Sequence, residues 1–334
     1  MAKLTVGGAI RAGLERKLAG DPAVLLLGED IRDPYGGAFR VTRGLSDRFS
    51  DRVVNTPISE AATVGVAAGM ALRGLKPVVE MMFGDFLALA ADQIVNHAAK
   101  FSWMYNGAVA VPLVIRAPMG GRRGYGPTHS QSLERMFFST PGLRIVAPTH
   151  RHDVTALVGA AIDDPNPVLF VEGKLLYALE LSPTADAFDI ALTRPPYPTA
   201  VLGNAAGEAP DVTVVTYGAM LPVVEQAMRE LFDEDEITGE IIVPSEIAPL
   251  DTTLIGQSLA RSGRLVVAEE GPRSWGWGAE IIARVAERWG DAFRARPVRV
   301  AGQDVPLPTA RPLEEHVLPG AADVRKAVET VMLQ

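Results

Sequence analysis

Uninterrupted apolar runs, each closed by glycine, proline or acidic residues, constrain this chain most. AVLLLGED (23–30), VVEMMF (78–83), VPLVIRAP (111–118), DVTVVTYG (211–218) and RLVVAEEG (264–271) are apolar at successive positions, not alternate ones. A strand of that kind has no wet face, so it belongs in a parallel sheet covered on both sides. Helical spacing fills the intervals: Val6, Ile10, Leu14 and Leu18 repeat at one-turn steps, Ser59 to Leu72 is alanine-rich, and Phe86–Phe101 and His150–Ile162 read as further helices. Short strands are predicted at Leu143–Pro148, Pro167–Val171, GEIIVP (239–244) and Pro297–Val300. Strand–helix alternation of this kind predicts an α/β fold with crossover helices.

The alternation breaks once. Pro183, Pro195, Pro196, Pro198 and Pro210 punctuate a stretch with little periodicity. The expected organisation is therefore one α/β domain over 1–180, a connection over 181–210 and a smaller α/β domain over 211–334. A length of 334 residues suits two domains. The absence of cysteine excludes disulfides, thiolate metal sites and a cysteine nucleophile. The formal charge of −8 lacks the basic surplus of a nucleic-acid binder. No apolar run approaches the ~18 residues of a membrane span, and the first twenty residues hold no apolar signal core. The expectation is a cytoplasmic protein whose partners include neither nucleic acid nor membrane.

The usual phosphate cradles are missing: there is no G-x-x-x-x-G-K-[ST] loop and no G-x-G-x-x-G between a strand and a helix. GGRRGYG (120–126) reads either as a surface loop or as a basic loop that meets an anionic ligand. Asn55–Thr56–Pro57–Ile58–Ser59–Glu60 is more informative. Pro57 holds Thr56 extended, Ser59 is placed to cap a helix, and Glu60 falls in its first turn. On one reading Glu60 only complements the helix dipole. On the other, Ile58, Ala61, Ala62 and Val64 surround it with apolar groups, and a desolvated carboxyl holds its proton nearer to neutrality. Gly65 and Gly69 then permit close approach to one face of that helix, for packing or for a ligand.

Glu60, four residues, Gly65, Val66, two residues and Gly69 together resemble the pyrimidine-domain signature of thiamine-diphosphate enzymes. TPISEAATVGVAAGMALRGLKPVVEMMFGDF, DQIVNHAAK, THSQS, TPGLRIVAP, VVTYGAML and GRLVVAEEGPRSWGWGAEI follow in order. The whole chain is thus similar to beta subunits of the decarboxylase component of 2-oxo acid dehydrogenase complexes, and MFGDF and AAKFSWM look most like pyruvate- and acetoin-type members. The resemblance implies two mostly parallel sheets with helices on both faces: a pyrimidine-binding domain and a transketolase C-terminal-type domain.

It further implies that thiamine diphosphate is shared with an alpha subunit in an alpha2–beta2 heterotetramer. That subunit would hold the diphosphate and Mg²⁺, since Gly-Asp-Gly is absent here. The family match gives Glu60 the bond to the aminopyrimidine ring nitrogen, Phe86 a place against that ring, and Met82 with Met81 the same neighbourhood. It makes His129 the active-site histidine, able to carry a proton during acyl transfer. It matches Leu113, Ala161, Ile162, Asp164 and Asn166 to a monovalent cation site, with K⁺ as the ion; the bland alternative is an Asp/Asn/Pro turn. A 2-oxo acid is the implied substrate, and a lipoyl acyltransferase core the implied acceptor. Trp275 and Trp277 fall where the family docks and dimerises, or else in the core. The loop holding Arg122, Arg123 and Tyr125 departs from the family's small-residue stretch. That departure keeps open a carboligase on the same scaffold, acting on a more anionic substrate. A non-catalytic scaffold subunit is the alternative of another class, and it has no need of Glu60, Phe86 and His129.

Overall fold

The computed structural model describes residues 4–182, 184, 187–205 and 207–334. It divides into two compact units. The first comprises the chain up to Met119 together with Met136–Leu181; the second comprises Gly120–Arg135 and Ser182–Gln334. The loop with the two arginines therefore belongs to the second unit.

The first unit contributes six parallel strands: β1 (Val24–Gly28), β2 (Val53–Asn55), β3 (Lys76–Glu80), β4 (Val114–Met119), β5 (Arg144–Val146) and β6 (Val168–Gly173). Their spatial order is β5-β6-β4-β3-β1-β2. β4 and β6 are buried along their whole length, as unbroken apolar runs require. The Val6–Gly20 helix opens the unit with Thr5 as its N-cap, accepting from the Gly8 N–H at 3.2 Å. Its Ile10 and Leu14 are fully buried.

One element differs from expectation. The segment read as a single helix over Phe86–Phe101 is a 3-10 turn (Gly84–Phe86), an α-helix (Leu87–Asp92), a π-helical turn (Gln93–Ala98) and a last helical turn (Phe101–Met104). Apolar spacing does not separate these, because a π turn shifts the pattern by one residue only.

The second unit holds a six-stranded sheet in the order Val298–Gly302, Leu265–Pro272, Val212–Thr216, Gly239–Pro244, Thr199–Gly203, Asp189–Leu192. The first four strands are parallel and the last two antiparallel. The stretch read as a connection over 181–210 thus contains two strands, while its Pro183 lies outside the described residues. Thr199–Gly203 buries only Ala200 and Leu202, an alternation with one wet face that five prolines had obscured. The core packs Val214, Ile241 and Val266 of this sheet against Leu221, Val224 and Met228 of the Leu221–Asp235 helix and Val324 and Val328 of the Ala321–Met332 helix. Among the described residues no helix is long and apolar enough to cross a membrane.

Candidate functional site

Parallel sheets gather chemistry at the carboxyl ends of their strands, and the first unit follows that rule. The chain leaves β2, is tied to β1 by the Thr56 N–H donating to the Gly28 carbonyl at 2.9 Å, and enters the Glu60–Leu72 helix at Glu60 itself. Ser59 stands at the N-cap position, but its side chain makes no capping bond. Glu60 is 8% exposed, and no group among the described residues hydrogen-bonds its carboxylate. An acceptor left open in this way is available to a donor from outside the chain. The expected apolar enclosure is not supplied by this chain: Ile58 is 84% exposed and Ala61 and Ala62 face solvent, while Val64 alone of the four is buried. Gly65 gives room to the Gln93 side chain, whose Oε1 would stand 2.9 Å from an added Cβ; Gly69 borders open space.

Glu29, just beyond β1, was not singled out from the sequence. Its carboxyl is raised by burial first, then by the charges of Glu60 and Asp30. A GED triplet ending a buried parallel strand was the available signal.

Phe86 closes the 3-10 turn that follows β3, half-buried, and Met82 beside it is also half-buried. Met81 is core filling, at 2% exposure. Phe86 meets Phe83 edge-on at 5.9 Å, Phe83 meets Phe39 at 5.7 Å, and Phe39 meets Tyr177 at 5.3 Å. Beneath this aromatic row lies a buried ionic group that sequence reasoning also missed. Arg116 on β4 donates to Glu172 on β6 through Nε (2.7 Å) and Nη2 (2.9 Å), and to Glu80 on β3 through Nη1 (2.5 Å). Tyr177 donates its hydroxyl to Glu172 at 2.6 Å. Burial alone would lower the Arg116 pKa, but Glu172 and Glu80 outweigh it and raise it, so the guanidinium stays charged. Glu80 is raised, chiefly by burial. Register puts Glu80 beside Arg116 on adjacent strands. Charged residues inside three neighbouring apolar runs were the sequence signal.

The five expected cation positions also fall in the first unit. The Val111 N–H donates to Pro165 O and the Val168 N–H to Leu113 O, both at 2.8 Å, which joins the two stretches. Asp164 carries an Asx turn, accepting from the Asn166 N–H at 2.9 Å, and is ion-paired with Arg144 at 2.9 Å. Its carboxylate is therefore already engaged. An ion here would rely on carbonyl oxygens such as those of Ala161 and Ile162.

The second unit carries His129, half-buried, with Nδ1 2.9 Å from the Thr128 hydroxyl. Three buried carboxyls lie in the same unit. Glu270 accepts from the Gly121 N–H (2.9 Å) and the Ser132 hydroxyl (3.2 Å). Glu269 accepts from the N–H groups of Trp277 and Gly278, both at 2.8 Å, where the Trp277–Trp289 helix begins. Glu134 accepts from the Tyr217 hydroxyl. Trp277 is core: its Nε1–H donates to Ile247 O at 3.0 Å and its ring stands edge-on to Tyr217 at 4.8 Å. Trp275 is 93% exposed.

Residues 2–180 match the family described as the transketolase pyrimidine-binding domain, and residues 203–324 the transketolase C-terminal domain. The chain is similar to the pyruvate dehydrogenase E1 component subunit beta-1 of Oryza sativa, with 37% identity covering 98% of this chain and 86% of that one. It is 38% identical to the pyruvate dehydrogenase E1 component subunit beta of Leifsonia xyli, covering 96% and 92%. It is 36% identical to the acetoin:2,6-dichlorophenolindophenol oxidoreductase subunit beta of Cupriavidus necator, covering 99% and 98%. Its fold matches a solved split-gene transketolase, an inactive beta4 tetramer, with a TM-score of 0.76 at 23% identity over 99% of both chains.

Proposed function

This chain belongs to the transketolase family of pyrimidine-binding and C-terminal domains, and on that footing we propose that it is the beta subunit of a thiamine-diphosphate-dependent 2-oxo acid dehydrogenase. It decarboxylates a 2-oxo acid such as pyruvate and passes the acyl group to a lipoyl acceptor. The relatives named above support the class of enzyme. The observation that carries the cofactor assignment is Glu60, a residue 8% exposed whose carboxylate has no hydrogen-bond partner among the described residues, set where a helix begins.

When bound, thiamine diphosphate supplies the carbon nucleophile and the electron sink for loss of CO₂. The chain's own residues do the rest. Glu60 holds a proton at the aminopyrimidine ring nitrogen, and the raised pKa of Glu29 favours a proton retained at this end of β1. Phe86 and Met82 offer apolar surface to the ring. His129 carries a proton as the acyl group leaves. The missing Gly-Asp-Gly supports a partner alpha subunit that brings the diphosphate and Mg²⁺ site. Exposed Ile58, Val66, Leu89, Trp103 and Met104 in the first unit supply apolar surface for such a partner. The arrangement is then alpha2–beta2, placed in the cytoplasm, with K⁺ held at the carbonyls near Ala161 and a lipoyl acyltransferase core as docking partner.

The exposed guanidinium of Arg123 favours one second reading, a carboligase that joins the acyl group to an anionic acceptor. The test is reductive acylation of a lipoyl domain by the chain reconstituted with an alpha-type partner. Acylation is expected. Active decarboxylation without acylation gives the carboligase; no decarboxylation of any 2-oxo acid removes both.

A further inference from the structure

The second unit has a basic cleft of its own, about 350 Å³ in volume. It borders the outermost strand of the six-stranded sheet, Val298–Gly302, and is lined by Arg273, Arg299, His316 and Lys326. His316 lies on the Arg311–Val317 helix and Lys326 on the Ala321–Met332 helix. A chain of formal charge −8 thus gathers three permanent cations around one cleft, with Asp323 as the single acid in the lining. The acids nearby are spent on the chain itself. Asp323 accepts from the Gly320 N–H at 2.8 Å, where its helix begins. Asp304 accepts from the Ser274 N–H at 2.9 Å and the Ser274 hydroxyl at 2.7 Å, and Glu269 from the Trp277 and Gly278 N–H groups. Arg273 acts on Asp304, and Arg299 on Glu269, through space only. Among the described residues Arg273, Arg299 and Lys326 form no ion pair.

The two guanidinium groups are held in place by an exchange of bonds. Arg273 donates through Nη1 to the Arg299 carbonyl at 2.8 Å, and Arg299 through Nη1 to the Arg273 carbonyl at 2.9 Å. Nε and Nη2 of each have no partner among the described residues. Like charges held in one cleft repel until an anion joins them, and the guanidinium fork suits an oxyanion. The helical wall is also fixed. Glu314, 1% exposed in the first turn of the Arg311–Val317 helix, accepts from the Arg122 N–H at 2.7 Å and the Gly124 N–H at 3.2 Å. Arg122 donates through Nη2 to the Pro319 carbonyl at 2.5 Å, and Gln303 through Nε2 to the His316 carbonyl at 2.9 Å. Walls set beforehand cost little ordering when a ligand arrives.

We propose that this cleft binds a small organic phosphate: the guanidinium groups of Arg273 and Arg299 and the Lys326 ammonium take the phosphate group, and the wall with Val300 and Ala327 takes the organic body. Three cations match a doubly charged group better than a single carboxylate. The volume falls at the low end of small-molecule sites, about 300–1,000 Å³, and leaves room beyond the phosphate itself. The site belongs wholly to the second unit and is independent of the activity proposed above.

Calorimetric titration of the full chain with adenosine 5′-monophosphate, inorganic phosphate and adenosine tests this. The nucleotide should bind one-to-one with Kd below about 1 mM, more tightly than inorganic phosphate, and adenosine should not bind. Lys326→Gln and Arg273→Gln should each weaken the nucleotide about tenfold or more, as loss of a charge-assisted contact requires. Arg284→Gln, on the Trp277–Trp289 helix and outside the cleft, should leave its affinity unchanged. Adenosine binding as tightly as its phosphate, or an equal loss in Arg284→Gln, overturns phosphate recognition at this place. Inorganic phosphate binding as tightly as the nucleotide overturns the organic ligand. No saturable binding of either phosphate at millimolar concentration, or wild-type affinity in Lys326→Gln, overturns the site. Should Arg273→Gln not fold, Lys326→Gln still decides, because that exposed ammonium makes no bond among the described residues.

Discussion

Tyr217 donates its hydroxyl to Glu134 at 2.6 Å, and both groups are sealed from water. Burial pushes the Glu134 carboxyl up to about 7, against the Tyr217 bond, and the charges of Glu270 and Glu269 push the same way as burial. The other Glu134 oxygen, Oε2, is buried without a partner. Tyr217 in turn is raised well above its ordinary value, first by burial and then by Glu134.

The pair predicts a pH dependence. A carboxyl with a raised folded-state pKa binds more protons folded than unfolded, so stability falls as pH rises from the ordinary 4.5 towards about 7, then levels. Glu134→Gln cannot ionise and escapes that loss. Its stability relative to the parent should improve by about 2–4 kcal/mol between pH 4.5 and pH 8. Urea unfolding at several pH values checks this; a difference flat with pH refutes it.

The Arg116 group predicts a large cost for breaking a buried ion pair. Glu172→Ala leaves Arg116 without its two-bond partner and should destabilise by about 3–5 kcal/mol. Tyr177→Phe removes one bond to the same carboxylate and should cost about 1.5–3 kcal/mol. By contrast, breaking the exposed Arg284–Glu280 pair should cost under about 0.5 kcal/mol. Denaturant midpoints at constant m-value order the three.

Gly37 has φ 79°, and a Cβ there would run into the Glu80 carboxylate. Gly37→Ala combines left-handed backbone strain with displacement of a buried charge, and should cost about 2–4 kcal/mol. Thermal unfolding reads it directly. Gly69→Ala, in open space on a helix, should be neutral or slightly stabilising.

The Glu60 carboxylate makes no hydrogen bond among the described residues, so Glu60→Gln should leave the unfolding midpoint within about 0.5 kcal/mol of the parent. Decarboxylation by the reconstituted enzyme should fall about 10²–10⁴-fold, the range for losing a positioned proton carrier. Retained activity in a folded variant contradicts the role given to Glu60.

The parallel strands were legible because a strand without a wet face leaves an unbroken apolar run, as in AVLLLGED and RLVVAEEG. The antiparallel strands Thr199–Gly203 and Asp189–Leu192 were not, since half-exposed strands between prolines resemble a connection. Glu60, Phe86 and His129 were singled out by their motif company. Glu314 and Glu270 left no such trace: each gains its meaning only from a partner more than a hundred residues away. Glu80, Arg116 and Glu172 lie between these cases, visible as charges inside apolar runs but not as a group.

Arg122 and Glu314 stand 192 positions apart in sequence. A ribosome adding about 5–20 residues per second needs roughly 10–40 s to travel that distance. Strands β1–β4 precede Arg122, and β5 and β6 follow during that interval, yet the histidine loop has no Glu314 carboxylate to close upon. A polypeptide cut short before Glu314 thus lacks the acceptor for the Arg122 and Gly124 N–H groups, so the shape of this loop is completed only late in synthesis.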